Sequence, residues 1–337
     1  MQRVRVLLAA HGEAESAGWL ENFRVSRRTL AHAAEVMHLP GPLRLAICVA
    51  GASRKRLKGG PGSAHNDNTR RQAAALQDVL AGEPGVNYLV DPVYASAPPY
   101  LEDEIAIPHG VDGQVVLSMI PTDSHLSCGL ICRSLLAAPV PTRERTTVLA
   151  RLWDAPELIA IHCAHVAKHF PSITPERGCC LVLVLHGTVL RDPQGREPRF
   201  HTGMKEKQAY ADALRAALLA MPDRRWQRVE VAYLNHGVGG QWSSPTLPEL
   251  LDRIASQGVE CVAAYPCEHL VDGSETIQLS GHLGDGGFRE SHRLPCLNAS
   301  ASFIEFLAAR TRAAVAKPGD ASCCEPCPLM GRSAPPG

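Results

Sequence analysis

CLVLVLHGT, at residues 180–188, is the stretch that decides the fold. Residues 181–185 form a short, unbroken apolar run, as expected of a parallel strand that is buried on both faces. Gly187 allows the chain to turn directly after the strand. Because ligands of open α/β sheets bind at the carboxyl ends of the strands, this pattern places the imidazole of His186 at the mouth of a binding site.

Further apolar runs alternate with helical patterns, which is typical of parallel sheets. Strands are predicted at 4–10, 43–50, 86–90, 114–120, 229–234, 259–265 and 293–297, and helices at 69–81, 156–170, 205–221 and 301–316. The first strand also ends in histidine and glycine, at His11 and Gly12, so the chain begins its two halves alike.

We therefore predict an α/β protein made of two similar Rossmann-like parallel-sheet domains with a cleft between them. The first domain covers residues 1–140 and the second covers residues 141–316. A proline-rich stretch at 137–142 predicts the crossing between them. Residues 317–337 form a cysteine-containing tail without periodicity.

Composition limits the functions that are open to the chain. The 337 residues suit two domains, and the formal net charge is zero. A chain without basic excess is a poor candidate for binding nucleic acid. No apolar run approaches the roughly 20 residues that a membrane span needs, and the N-terminal sequence does not fit a signal peptide. We expect a cytoplasmic protein.

A second candidate motif follows the apolar run at 259–265. Four polar side chains come within a few residues of one another: Glu268, His269, Asp272 and Glu275. Imidazole and carboxylate together suit Fe(II), and a neutral imidazole is the side chain best suited to accept a proton near neutral pH. These residues are therefore candidates to carry a metal ion or protons.

These motifs resemble those of the ferrochelatases, which insert iron into a porphyrin. His186 and Gly187 correspond to the family's strand-end catalytic histidine, and residues 268–270 match the first three places of its acidic-His-apolar motif. Residues 235–246 are similar to its glycine, tryptophan, proline and threonine segment. Residues 59–63 resemble its glycine-rich loop, and residues 116–128 resemble its strand ending in proline, serine and cysteine.

The resemblance implies roles for individual residues. His186 is the expected base and, with Glu275, an expected ligand of the iron. His269, Glu268, Asp272 and Glu275 are the other candidates for catalysis. Gly239 and Gly240 would let a flat ligand approach the backbone, and Trp242 would form a wall of its cleft. His236 stands beside the same loop and is an alternative ligand, although the family pattern gives it no role.

The sequence departs from the family pattern at two positions. Val271 occupies the place of the family's catalytic glutamate, two residues after His269. Asp272 or Glu275 could supply the missing carboxylate from a shifted position. Ala95 stands where the family has an arginine before Pro98.

The cysteines suggest an iron–sulfur cluster. Cys323, Cys324 and Cys327 lie in the tail, and Cys128 aligns with the internal cysteine that joins three C-terminal ones in cluster-bearing ferrochelatases. Four thiolates suffice for a [2Fe–2S] cluster. Cys132 is the substitute ligand if the alignment has slipped by one helical turn.

The expected function is therefore insertion of Fe(II) into protoporphyrin IX or coproporphyrin III in haem biosynthesis. Two alternatives stay open. The scaffold could have been redirected to another metal-dependent reaction on a smaller substrate, or the protein could be a haem or porphyrin carrier without catalysis. The partner is a porphyrin or another small molecule, and a homodimer is possible.

Overall fold

The computed structural model describes residues 1–59, 62–171 and 178–316. In its first half the chain forms four strands and six helices: β1 (Gln2–Ala10), α1 (Trp19–Val36), α2 (Gly41–Lys58), α3 (Ala64–Leu80), β2 (Val86–Tyr94), α4 (Leu101–Glu104), β3 (Gly113–Ser118), α5 (Cys128–Ala137), α6 (Val140–Glu144) and β4 (Thr146–Leu149).

The second half begins with a short 3-10 helix at Leu152–Asp154. It continues with six strands and five helices: α7 (Pro156–His169), β5 (Cys179–His186), β6 (Val189–Arg191), α8 (Met204–Ala220), β7 (Arg228–Leu234), β8 (Gln241–Trp242), α9 (Leu247–Ser256), β9 (Cys261–Tyr265), α10 (Ser274–Asp285), β10 (Glu290–Arg293) and α11 (Ala301–Ala316).

Each half contains a four-stranded parallel sheet. The strand order is β2-β1-β3-β4 in the first sheet and β10-β9-β5-β7 in the second, while β6 and β8 form a separate antiparallel pair. The predicted central strands β1 and β5 carry apolar side chains that are almost fully buried, because helices cover both faces of each sheet. The predicted α/β fold with two parallel-sheet halves is confirmed.

The run at 43–50 is not a strand, and this prediction is wrong. It lies in α2, which begins with Pro42 in its first turn and is followed by Gly59 at positive φ. Only Cys48 and Ala52, four residues apart, are buried on this helix. A short apolar run does not distinguish a helix from a strand by its pattern alone.

Two further boundaries differ from the prediction. The strand expected at 293–297 is β10, which ends at Arg293. The chain stays in the first sheet until Leu149, because β4 pairs with β3, so the crossing falls later than the proline-rich stretch at 137–142. Helix α11 then returns to pack against α3. The helix α1 had not been predicted.

No helix within the described residues combines the length and the apolar character that a membrane span requires.

Candidate active site

His186 is the last residue of β5 and lies at the carboxyl edge of the second sheet. The next residue must be a glycine, because a Cβ atom there would lie 2.5 Å from the carbonyl oxygen of Leu234 at the end of β7. The Gly187 amide donates to that same oxygen at 2.7 Å. The chain therefore turns in direct contact with the neighbouring strand and leaves the imidazole of His186 facing a cleft between the two halves.

The protonation state of His186 is fixed by its surroundings. Its Nδ1 lies 2.8 Å from the carbonyl oxygen of Gly187, which can only accept, so Nδ1 carries the proton and Nε2 keeps its lone pair. Burial in the cleft wall lowers the pKa of His186 to about 4, although the Glu275 carboxylate opposes the shift. The imidazole is thus neutral near pH 7 and can accept a proton or bind a cation.

Three metal-ligating side chains converge on this lone pair. The Nε2 atom of His236 lies 3.2 Å from Nε2 of His186. A carboxylate oxygen of Glu275 lies 3.9 Å from His186 Nε2 and 3.7 Å from His236 Nε2. The ligand atoms of all three residues lie within 4.8 Å of one another, so they could hold one metal ion.

Glu275 is also held by His269, whose Nε2 lies 3.2 Å from its other carboxylate oxygen. Burial alone would raise the pKa of Glu275, but the neighbouring imidazoles of His186 and His269 hold that pKa well below its ordinary value. Glu275 therefore offers a negative charge in the middle of a group of histidines.

Glu268 is a buried carboxylate in the cleft lining that positions the end of β5. Its carboxylate accepts from the backbone amide of His186 at 2.9 Å and from the hydroxyl of Thr122, and it lies 3.2 Å from Nζ of Lys207. Burial raises its pKa, but Lys207 and Thr122 outweigh this effect, so the pKa is lowered. Lys207 also donates to the carbonyl of His186 at 2.8 Å. The buried pair locks the backbone of His186.

The first half contributes a second group of polar side chains to the cleft: His11, Glu13 and His65. Glu13 accepts from the backbone and side chain of Ser274 at the start of α10. Burial lowers the pKa of His65 to about 4 against the opposing charge of Glu13. Because a histidine followed by a glycine lies at the carboxyl end of both β1 and β5, each half presents a histidine to the cleft.

The cleft has a volume of about 630 Å³. Apolar side chains from α1 and α2 cover one side of it, including Leu30, Val36 and Ile47. Trp242 lines the cleft, and its ring meets the His236 ring edge to face at 5.5 Å. The walls are thus apolar and the polar groups lie at the strand ends.

The structure does not bring every predicted residue to the cleft. Gly239 and Gly240 do not line it. A Cβ on Gly239 would meet the backbone at His38, so this glycine accommodates the protein's own chain rather than a ligand. Asp272 is also elsewhere, because its carboxylate pairs with Arg293 at 2.6 Å and accepts from Asn298 at 2.7 Å.

Val271 does line the cleft. A valine has no carboxylate to offer there. The carboxylate that faces His186 belongs to Glu275, four residues after the valine that replaces the family's glutamate.

Sequence reasoning missed Glu13 and His65, and it named His236 only as an alternative ligand. His236 follows β7 by two residues, so the rule that sites form at the carboxyl ends of parallel strands supports its place in the site. The same rule applies to Glu13, three residues after β1. His65 begins α3 and carries no such signal.

Of the cysteines that are predicted to bind a [2Fe–2S] cluster, the structure describes only Cys128. Cys128 is buried in the first turn of α5, and its thiol lies 3.7 Å from the carbonyl oxygen of Ser124. Cys323, Cys324 and Cys327 lie outside the described residues, as do two residues of the glycine-rich loop, Gly60 and Pro61. A buried thiol suits a structural cluster, and the [2Fe–2S] cluster stays a prediction.

Two parallel sheets that face a cleft lined by histidines and carboxylates define an α/β protein whose cleft side chains could hold a cation. A sequence model of one family, described as Ferrochelatase, matches residues 3–315. The chain belongs to the ferrochelatase family, and the predicted relationship is confirmed.

Among solved structures, SirB from Bacillus subtilis, determined with Fe³⁺, is similar to this chain. The TM-score is 0.53 at 10% sequence identity, over 93% of this chain and 95% of SirB. At this identity the similarity concerns the fold. No curated protein sequence matches the chain.

Proposed function

We propose that the protein inserts Fe(II) into a porphyrin, with the reaction centred on His186. The observation that carries this proposal is the convergence of His186, His236 and Glu275 on one point of an apolar cleft. Membership of the ferrochelatase family and the fold shared with SirB, a protein determined with Fe³⁺, support it.

The incoming iron is the substrate, and the three side chains suit it. Imidazole and carboxylate oxygen are ligands that Fe(II) accepts. The Nε2 atoms of His186 and His236 stand close enough to bind the same ion, and Glu275 offsets part of its charge. These ligands replace some of the water that the ion must lose before it enters the ring.

The same residues are also suited to accept the protons that the reaction releases. Inserting Fe²⁺ into a porphyrin displaces two pyrrole protons, so two acceptors are needed. When iron passes from Nε2 of His186 to a pyrrole nitrogen, the lone pair that it leaves is free to accept one proton. His236 or the pair of Glu275 and His269, whose atoms lie 3.2 Å apart, accepts the other.

The cleft favours a porphyrin with few carboxylates. Among the described residues that line it, only Lys207 is a lysine or arginine, and it is already engaged with Glu268 and the His186 carbonyl. We therefore favour protoporphyrin IX over coproporphyrin III, which carries more carboxylates. Both belong to haem biosynthesis.

Anaerobic incubation of the protein with Fe(II) and each porphyrin tests the proposal. We expect haem formation that requires His186 and Glu275 and is faster with protoporphyrin IX. A protein that binds porphyrin but forms no haem faster than the buffer would contradict it, and faster coproporphyrin insertion would reverse the substrate preference.

A second candidate function is porphyrin or haem binding without insertion, and Val271 favours it because a valine cannot transfer a proton. A bound-ligand absorption spectrum without turnover would support a carrier. Neither binding nor insertion would support a metal-dependent reaction on a smaller substrate. Cytoplasmic location, a homodimer and the [2Fe–2S] cluster stay predictions of the sequence.

A further inference from the structure

A second group of metal-ligating side chains lies at the amino edge of the second sheet. Cys261 is the first residue of β9, and Glu290 and His292 lie on the edge strand β10. Their ligand atoms all lie within 4.8 Å of one another. At about 3.3 Å per residue, the length of β5 separates this edge from His186 by roughly 23 Å, so the group is independent of the cleft.

The sheet register brings these side chains together. Glu290 pairs with Cys261, and neighbouring residues of parallel strands point to the same face. His292 lies two residues further along β10, which returns it to that face. Cys179 on β5 pairs with Cys261 from the other side, and the two thiols are within hydrogen-bonding reach. Cys180 points to the opposite face and packs in the core beneath α9 and α10.

The burial of the group resembles that of a binding site with one open side. Cys261 and Cys179 are buried, whereas Glu290 and His292 are about one-third exposed. The Nε2 atom of His292 is nevertheless shielded from water and has no hydrogen-bond partner among the described residues. Oε2 of Glu290 lies 3.9 Å away, which is too long for a hydrogen bond. A buried nitrogen without a partner is costly unless something binds it.

We propose that Cys261, Glu290 and His292 bind a Zn²⁺ ion, with Cys179 as the fourth donor. Thiolate, imidazole and carboxylate are the ligands that zinc takes in proteins, at about 2.0–2.3 Å in tetrahedral geometry. Such a tetrahedron places its donor atoms roughly 3.3–3.8 Å apart, so the present separations need only a small contraction. Each cysteine that binds releases its thiol proton to solvent, and the two thiolates and the carboxylate together more than offset the charge of the ion.

A zinc ion at this site would stabilise β10, the edge strand of the second sheet. β10 has four residues, and among the described strands it pairs only with β9. It follows α10, the helix that carries Glu275 in its first turn. An ion that joins Cys261 to Glu290 and His292 therefore holds the α10–β10 segment on the sheet without touching the cleft.

Cobalt substitution tests the site, because Co²⁺ bound to thiolate absorbs in the near-ultraviolet and Co²⁺ bound by the thiol-free cleft does not. The experiment uses the full chain in which serine replaces Cys323, Cys324 and Cys327. A chelator first removes any bound metal from this protein. We expect the thiolate band on addition of Co²⁺, its displacement by Zn²⁺, and a melting temperature that rises by several degrees at a hundredfold excess of Zn²⁺ over Kd.

Single substitutions locate the site. Cys261→Ser should abolish the band, and His292→Gln and Glu290→Gln, which change partly exposed side chains, should weaken binding by tenfold or more. Cys180→Ser is the matched control on the other face of the sheet and should keep the band. Iron insertion should continue in the His292→Gln protein, which separates this site from the proposed function.

A band that survives Cys261→Ser would overturn the assignment, as would an unchanged melting temperature with Zn²⁺. The denatured, unreduced protein could titrate two thiols fewer than it has cysteines, while the Cys179→Ser and Cys261→Ser proteins each titrate every remaining cysteine. That result would show a disulfide instead, and would also overturn the assignment.

Discussion

The Nε2 atoms of His186 and His236 lie 3.2 Å apart in the cleft. Nε2 of His186 carries a lone pair, because its Nδ1 donates to Gly187. His236 must therefore either donate its own proton across this distance or share a cation with His186. A proton or a metal ion can therefore bridge the pair, and the proposed function uses both.

His186→Ala should abolish iron insertion and leave the fold intact. The side chain lies at a strand end where little core packing depends on it, and general-base catalysis contributes ~10² or more. Anaerobic Fe(II) insertion and circular dichroism measure the two effects. His109→Ala, an exposed histidine outside the cleft, is the control. Activity above about a tenth of wild type would rule out His186 as the base.

Glu275 and Asp272 should respond differently to replacement by their amides. Glu275→Gln should lower the insertion rate by ~10² or more, as should His269→Ala, because Glu275 faces the histidines. Asp272→Asn should leave the rate near wild type and cost about 1–3 kcal/mol in unfolding free energy, because it leaves Arg293 without its partner. Anaerobic insertion rates and unfolding in denaturant measure these two effects. The reverse pattern would make Asp272 the catalytic carboxylate.

Val271→Glu should raise the insertion rate. The side chain lines the cleft, so a glutamate there restores a carboxylate in the family's position. Val271→Gln has the same shape without the charge and serves as the control. An equal gain in both variants would attribute the effect to cleft shape instead of proton transfer.

Acid should reduce both stability and activity, but at different pH. The pKa of His186 falls from an unfolded value near 6.5 to about 4, because burial outweighs the opposing charges of Glu275 and Glu268, and Lys207 and His236 add to the shift. Between about pH 6.5 and 4 the unfolded state binds more protons at this histidine, so the contribution of His186 to stability declines as pH falls through that window.

The imidazole itself stays neutral until about pH 4. The acidic limb of kcat/KM that belongs to His186 should therefore lie well below pH 6.5. The dependence of kcat/KM on pH measures this limb, and unfolding measured at each pH shows whether the protein is still folded. A limb at pH 6.5 in folded protein would show that the pKa of His186 is not perturbed.

Purified protein should be red-brown if Cys128 and the tail thiols hold a [2Fe–2S] cluster, with visible absorption that dithionite bleaches. Cys128→Ser or truncation after Lys317 should remove the colour, whereas Cys163→Ser, a buried cysteine of α7, should not. Anaerobically purified protein without iron and acid-labile sulfide would refute the cluster.

The apolar runs at 181–185 and 229–234 and the histidine-glycine pairs that follow β1 and β5 determined the parallel sheets and the position of His186. They do so because strand burial and strand ends are local properties of the chain. The run at 43–50 was read wrongly because its apolar pattern fits a helix equally well, and only packing against α1 selected the helix.

Only the tertiary structure decided which carboxylate and which histidines share the cleft. Glu275 and Asp272 are three residues apart and look equivalent in the sequence, but Arg293 and Asn298 hold Asp272 away while His269 holds Glu275 towards His186. His236 and His186 meet because β7 and β5 are neighbours in the sheet. Contacts between residues that are distant in sequence depend on strand order and register, which a strand's own residues do not encode.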